Sequence, residues 1–174
     1  MELFNVEKNL NKLGGGMRIA GAFKFECFDN LGNLKWSDST RNLVVNEGLD
    51  DILNKVFDYH TGASWYVGLI ATNPVIKAAD TLSSHASWSE AADYTDDRKA
   101  YTVVTTSGQS ITNTAAKATF VFSAAATITG AFISSASTGT SGVLFSGATF
   151  TAKAVASDDS LEVTYVLSAA DDGA

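Results

Sequence analysis

The sequence predicts an all-β protein, an antiparallel β-sandwich with one short α-helix and an N-terminal arm. Three observations carry that reading. Apolar and polar residues alternate at both ends of the folded region, in MRIAGAFKFECF at 17–28 and in LEVTYVL at 161–167, which is the period of a half-buried strand. Between them, short β-rich runs recur roughly every ten residues, parted by turn-forming clusters such as STGTSG and SDDS, the pattern of an antiparallel sandwich or barrel. Within that region only the stretch after Val45 carries a helical stripe. Jelly-roll and immunoglobulin-like plans both satisfy these signals, and the topology stays open.

The first element is an arm, residues 1–16. Leu3, Val6, Leu10 and Leu13 recur at spacings that align them on one side of a helix, with Glu2, Glu7, Lys8 and Lys12 on other faces. Gly14, Gly15 and Gly16 then form a hinge. So short a helix is marginal alone in water, so its apolar side must dock on its own domain or on another subunit. Leu3, Val6, Leu10 and Leu13 are therefore the partner-binding candidates.

Residues 17–174 make one sandwich domain. Ile19, Phe23, Phe25 and Cys27 share a face opposite Arg18, Lys24 and Glu26, and Asp29-Asn30-Leu31-Gly32-Asn33 supplies the turn of a hairpin whose second strand runs from Leu34 toward Val45. Asn46 suits an N-cap and Glu47 the positive end of a helix; Leu49, Ile52, Leu53, Val56 and Phe57 give the apolar stripe, interrupted in propensity by Gly48. Asp50, Asp51 and Lys55 are expected in solvent. The apolar run SWYVGLI at 64–70 is too short for a helix and reads as a central strand covered on both faces. After an irregular segment, 71–97, strands are expected at 100–104, 118–122, 127–133, 143–145 and 161–167.

Composition excludes several classes. A chain of 174 residues is long enough for one domain with a real core. Its twelve basic residues are scattered among nineteen acidic ones, for a net charge of −7, which argues against nucleic acid as a partner. No apolar stretch is long enough for a membrane helix. The start MELFNVEKNLNKLGGG has acidic residues and no continuous apolar core, so it does not read as a signal peptide, and the expectation is a cytosolic product or one assembled there into something larger. Cys27 is the single cysteine; it reads as a small core residue and leaves no intrachain disulfide or Cys-rich zinc site.

One stretch looks like chemistry. SSHASWSE at 83–90 brings His85, serines, Trp88 and Glu90 together. A catalytic serine needs a base in reach and a group to orient it, and no nucleophile elbow, S-x-x-K or H-E-x-x-H accompanies them. The other histidine, His60, has no ligand-type spacing to His85. Asp93, Asp96 and Asp97 fit no calcium loop and have Arg98 and Lys99 beside them. The expectation is no enzyme, no cofactor and no metal, with Trp88 folding back to plug the sheet and His85 finding a backbone partner.

Several segments, in order, resemble a family of tailed-bacteriophage virion proteins, tail-fibre-like or head-decoration proteins. They are NLVVNEGLDDIL at 42–53, WYVGLI at 65–70, AADTLSSHASWSE at 78–90, YTDDR at 94–98, GAFISSASTGTSGVLFSGATF at 130–150 and DSLEVTYVLSAAD at 159–171. The resemblance implies a virion structural protein and carries no catalytic residue. The expected role is a capsid decoration or cement protein whose partners are the major capsid protein and neighbouring copies of itself, with a dimer or trimer as the candidate oligomer. The alternative is a tail, neck or fibre component that contacts a host receptor or glycan, with Trp88, Tyr94 and Tyr59 as stacking residues.

Overall fold

The structure is a computed structural model that describes residues 17–57, 64–71, 75–105 and 109–171. The arm with Leu3, Val6, Leu10 and Leu13, together with Tyr59 and His60, lies outside the described residues. The elements run β1 (Met17–Phe28), β2 (Leu34–Arg41), β3 (Leu43–Val44), α1 (Asn46–Phe57), β4 (Tyr66–Ile70), β5 (Lys99–Ala100), β6 (Val104–Thr105), β7 (Ser110–Thr112), β8 (Ala118–Val121), β9 (Ala126–Ser134), β10 (Leu144–Val155) and β11 (Ser160–Asp171). They form two sheets in which the pairings are antiparallel. One runs β2-β1-β11-β7-β6, with β8 also on β11; the other runs β3-β10-β9-β4-β5.

The expected hairpin is present, and its polar tip is held by Asp29, whose Oδ1 accepts from the backbone of Leu31 and Asn33 at 2.9 and 2.8 Å. Its second strand does not continue to Val45 as one element. The chain changes sheet at Asn42, where the backbone N–H donates to Gly21 O (3.0 Å) and the side-chain amide donates to the Tyr165 hydroxyl (2.9 Å). The expected strand at 100–104 divides in the same way: β5 pairs with β4 in one sheet and β6 with β7 in the other. Tyr101 fills the step between them, its N–H on Trp65 O (2.8 Å) and its hydroxyl on Tyr165 O (3.3 Å). Both apolar runs read as one strand because a buried crossing between sheets needs the same residues as a strand.

Between the sheets lies the main core. Phe23, Phe25 and Cys27 of β1 and Leu161, Val163 and Tyr165 of β11 face Val67 and Leu69 of β4, Ile128, Ala131 and Ile133 of β9, and Ala148 of β10. Rings meet at distances suited to offset and edge contacts, Phe23 with Tyr165 and Phe25 with Phe150 at 4.5 Å each. Burial pushes the Cys27 thiol up to about 11, in keeping with an inert core residue. A second cluster of Val45, Ile70, Leu82, Trp88, Phe132 and Leu144 lies apart from it. It packs against the other face of the β10-β9-β4 sheet, so β4 is covered on both faces as its apolar run required.

β8 and β7 meet β11 one after the other: β8 pairs with Ser160–Val163 and β7 with Val166–Ser168. In the gap, Asn113 takes the place of a strand. Its amide Nδ2 donates to Val163 O (3.1 Å) and its Oδ1 accepts from Tyr165 N (2.8 Å), with the side chain fully buried. Neither β7 nor this device is evident in the sequence, because a three-residue strand followed by Asn reads as a loop.

The helix matches its expected range, with two differences. Its first bond runs from Leu49 N to Val45 O (3.1 Å), so the cap falls one residue before Asn46, and Asn46 N donates to Ala78 O (2.8 Å). The stripe is only partly covered: Ile52 packs on the core, whereas Leu49 and Leu53 remain 40% and 53% exposed. Asp51 and Lys55 do not stand free in solvent either. They pair at 2.6 Å, and the Lys55 ammonium lies 4.5 Å from the centre of the Trp65 ring.

Gly48 explains itself in packing. A Cβ there would stand 2.3 Å from the carbonyl oxygen of Phe145 in β10, so only glycine lets the helix approach that strand. Gly→Ala inside a free helix gains about 1 kcal/mol. Here Gly48→Ala is expected to reverse that sign and cost about 1–3 kcal/mol through overpacking against backbone, read as a lower urea midpoint with an unchanged m-value.

On the outer face of the other sheet, Glu26 and Glu162 stand directly opposite each other on β1 and β11. Lys117 lies between them, 2.8 Å from Glu26 and 2.7 Å from Glu162. The hydrogen bond from Lys117, and then that from Lys24, holds the Glu26 carboxyl below its ordinary value. A carboxyl depressed in the folded state stabilises above its unfolded pKa, and that contribution is lost as pH falls through the folded value. Lys117→Gln is expected to cost about 1 kcal/mol near neutral pH, where two like charges then face each other. The gap in melting temperature from the native protein should close as the solution is acidified toward about pH 3; a gap that stays constant removes the electrostatic account.

Candidate functional site

The hydrolase-like stretch SSHASWSE belongs to a segment laid over the outer face of β4, β9 and β10. Its path is set by backbone bonds on both sides. Ala71 N donates to Ser89 O (3.0 Å), Ala91 N donates to Leu69 O (2.9 Å), and Ile70 bridges Glu90, so the segment lies against β4 near its end. At the other end Thr81 and Ser84 close a tight turn with reciprocal backbone bonds of 3.0 and 3.1 Å. Ser and Thr suit such a turn because their hydroxyls reach nearby backbone groups; here Ser84 N donates to Thr81 Oγ1 (3.1 Å), and the Thr81 and Ser83 hydroxyls meet at 3.2 Å.

Glu47 ties this turn to the sheet. One carboxylate oxygen accepts both Leu82 N (3.1 Å) and Leu144 N (2.6 Å), joining α1, the covering segment and the start of β10. The sequence places Glu47 at a helix N-terminus, and its longer-range partners are not visible there.

Trp88 is the plug. It is 5% exposed, and its ring lies between His85, stacked at 3.7 Å, and Phe132 at 5.1 Å. Its indole N–H donates to Asp80 Oδ2 (3.1 Å), an oxygen that also accepts Lys77 N (2.9 Å). Phe132 can lie flat there because it crosses Gly68, its register partner on β4; a Cβ at that position would meet the ring at 2.3 Å. His85 Nδ1 donates to the Trp88 carbonyl oxygen (3.2 Å), the backbone partner expected for it. The Ser87 hydroxyl donates to Val75 O (2.7 Å). His85, Ser87 and Glu90 are thus each held in a structural contact, and none of those contacts joins a serine hydroxyl to the imidazole.

Glu90 completes a different group. The guanidinium of Arg98 meets it in a two-pronged pair, Nε to Oε1 and NH2 to Oε2 at 2.8 Å each. Arg98 also donates to Ala136 O (2.9 Å) and Gly139 O (2.7 Å), and its charge lies 5.1 Å from the centre of the Phe132 ring. A planar fork with several donors suits this role, since one side chain can bind a carboxylate and two loop carbonyls at once. The sequence pairs Arg98 with its acidic neighbours in DYTDDR. The fold turns it inward instead, leaving Asp93, Asp96 and Asp97 exposed, with Lys99 3.4 Å from Asp96. No spacing in the sequence signals the Glu90–Arg98 pair.

Trp88 and Tyr94, expected as stacking residues, are both buried here and are not presented on the surface. Tyr94 is 8% exposed, with its ring edge-on to Phe120 at 4.8 Å, and burial raises its hydroxyl well above the ordinary tyrosine range. Trp88 has its ring between His85 and Phe132 in the outer cluster, whereas Tyr94 belongs to the main core beside Phe120 and Phe122. Tyr59, the third stacking candidate, lies outside the described residues. Among the described residues no three His, Cys, Asp or Glu side chains are grouped to hold a metal ion, and no helix is long and apolar enough to cross a membrane. No protein-family model matches the chain, and neither does any curated protein.

Proposed function

We propose that this protein is a structural component of a tailed-phage virion, a cement that sits on the outside of the head and bridges neighbouring capsid subunits. The observation that carries the reading is the fate of SSHASWSE: the residues with most chemical promise seal a sheet. The ordered resemblance of six segments to virion structural proteins supports it. So does the acidic surface, which suits association with protein better than with nucleic acid. The partners are the major capsid protein and further copies of this chain, with Leu3, Val6, Leu10 and Leu13 gripping an adjacent subunit; many small contacts of this kind add avidity along a lattice.

Copy number in purified virions tests the reading. A cement follows the capsid lattice and is present on the order of hundreds of copies, as closed icosahedral symmetry requires. Quantitative mass spectrometry that finds about a dozen copies or fewer places the chain at the tail or neck and overturns the cement role.

A further inference from the structure

Where the two sheets part beside α1, a cleft of about 240 Å³ reaches in to Ile133 and Tyr165, which are 2% and 1% exposed. Two pairs of rings line it. Trp65 stands edge-on to Phe145 at 5.4 Å, and Tyr101 edge-on to Tyr165 at 5.5 Å. The rest of the wall is largely branched and aliphatic, with Ile52 from α1, Val103 from the crossing segment, Ile111 from β7 and Leu167 from β11.

The polar ends of the two tyrosines are committed to the protein. The Tyr101 hydroxyl donates to Tyr165 O (3.3 Å), and the Tyr165 hydroxyl accepts the Asn42 amide (2.9 Å) and meets Ser146 Oγ (3.1 Å). Both residues thus offer the cleft their rings. Among the described residues that line it, the charged ones are Asp51 and Lys55, which pair with each other at 2.6 Å and together carry no net charge.

We infer that the cleft is a binding site for an uncharged aromatic molecule of one or two rings with at most one polar group. Size sets the bound. An apolar cavity of about 150 Å³ accepts benzene, so this one takes a fused pair of rings, yet it falls short of the roughly 300–1,000 Å³ of a drug-sized site. Chemistry sets the class. A further ring can join either edge-on pair in the offset or T-shaped geometry that aromatic groups prefer. A sugar would bury hydroxyls against apolar walls, and a charged ligand would give up its hydration for a pair that is already neutral. One polar group can stay beside Asp51 and Lys55. The site is independent of where the protein sits in a virion, and the virion copy number does not bear on it.

The test is calorimetric titration of the full chain with indole. One molecule per chain is expected to bind, with a dissociation constant on the order of 0.1 mM, which about nine non-hydrogen atoms can supply, and with a negative heat-capacity change. Glucose, similar in size but hydroxylated throughout, is expected to bind at least about tenfold more weakly. Val103→Trp fills the cleft from its rim, where residue 103 is 40% exposed. It is expected to weaken indole binding at least about tenfold by occupying the same space. NMR of the native chain gives a reading that needs no variant: the ring current of bound indole is expected to shift the methyl signals of Ile52, Val103, Ile111 and Leu167. Shifts centred on other methyls overturn the assignment, as do glucose binding as tight as that of indole and undiminished binding by folded Val103→Trp. The absence of heat and of shifts up to about 5 mM indole, far above the affinity a site of this size supports, overturns it too.

Discussion

Trp88→Ala is expected to lower the melting temperature by about 10 °C, the largest effect of any single truncation in the covering segment. A buried tryptophan replaced by alanine costs about 3–5 kcal/mol, from lost transfer energy and from the cavity left behind, and in a domain of this size each kcal/mol moves the midpoint by about 2–4 °C. The cavity cannot collapse easily here. Phe132 is held flat over Gly68, His85 is tied to the backbone carbonyl of residue 88, and Asp80 loses its indole donor while staying buried. Trp88→Phe keeps a six-membered ring against Phe132 but removes the N–H and part of the indole's volume, for an intermediate loss of about 1–3 kcal/mol. Calorimetry on the pair decides the matter. A shift of under about 2 °C for Trp88→Ala, less than 1 kcal/mol on the same scale, means that the segment does not seal the sheet.

Asn113→Leu carries the second large effect. The substitution keeps volume but strips the Asn113 side-chain bonds to Val163 O and Tyr165 N at the gap between β8 and β7. Each buried backbone group left unpaired costs about 1–3 kcal/mol, so a loss of about 2–5 kcal/mol is expected in urea unfolding. Asn113→Asp gives a pH signature of the same sign as the Lys117 variant, its deficit from the native protein shrinking in acid. A carboxylate at a fully buried position has its folded pKa raised, so the ionised form destabilises above that value and stability returns as pH falls, when the protonated acid again donates to Val163 O. Amide exchange at Tyr165 should speed up in Asn113→Leu before exchange elsewhere on β11 does.

How far the sequence can be read follows from what each element depends on. β1, with its clean period of two, and the helix with its stripe are local patterns and were legible nearly to the residue, while β11 was legible over 161–167 and runs on to Asp171, where the alternation fades into Ser168-Ala169-Ala170. β10 was legible only at its start, because its pairing to β9 slips between Thr149 and Lys153, and a bulge breaks the alternation on which the reading relies. The two sheet crossings, at Asn42 and Tyr101, look like continuous strands because hydrophobicity does not record which sheet a residue joins. The role of Trp88 as a plug and of His85 as a backbone donor could be read from composition and the lack of catalytic context. The Glu90–Arg98 pair, the Glu47 clamp and the Asn113 bridge could not, since each joins residues through the fold and their local sequence suggests simpler partners.

The full-length antiparallel ladder between β1 and β11 sets Met17 beside Asp171, with a mechanical consequence. Tension applied between those two residues meets the ladder end-on and peels it one rung at a time, like a zip, the weakest loading geometry a sheet has. Load delivered sideways, across the faces of the sandwich, meets many rungs at once and is resisted by all of them together.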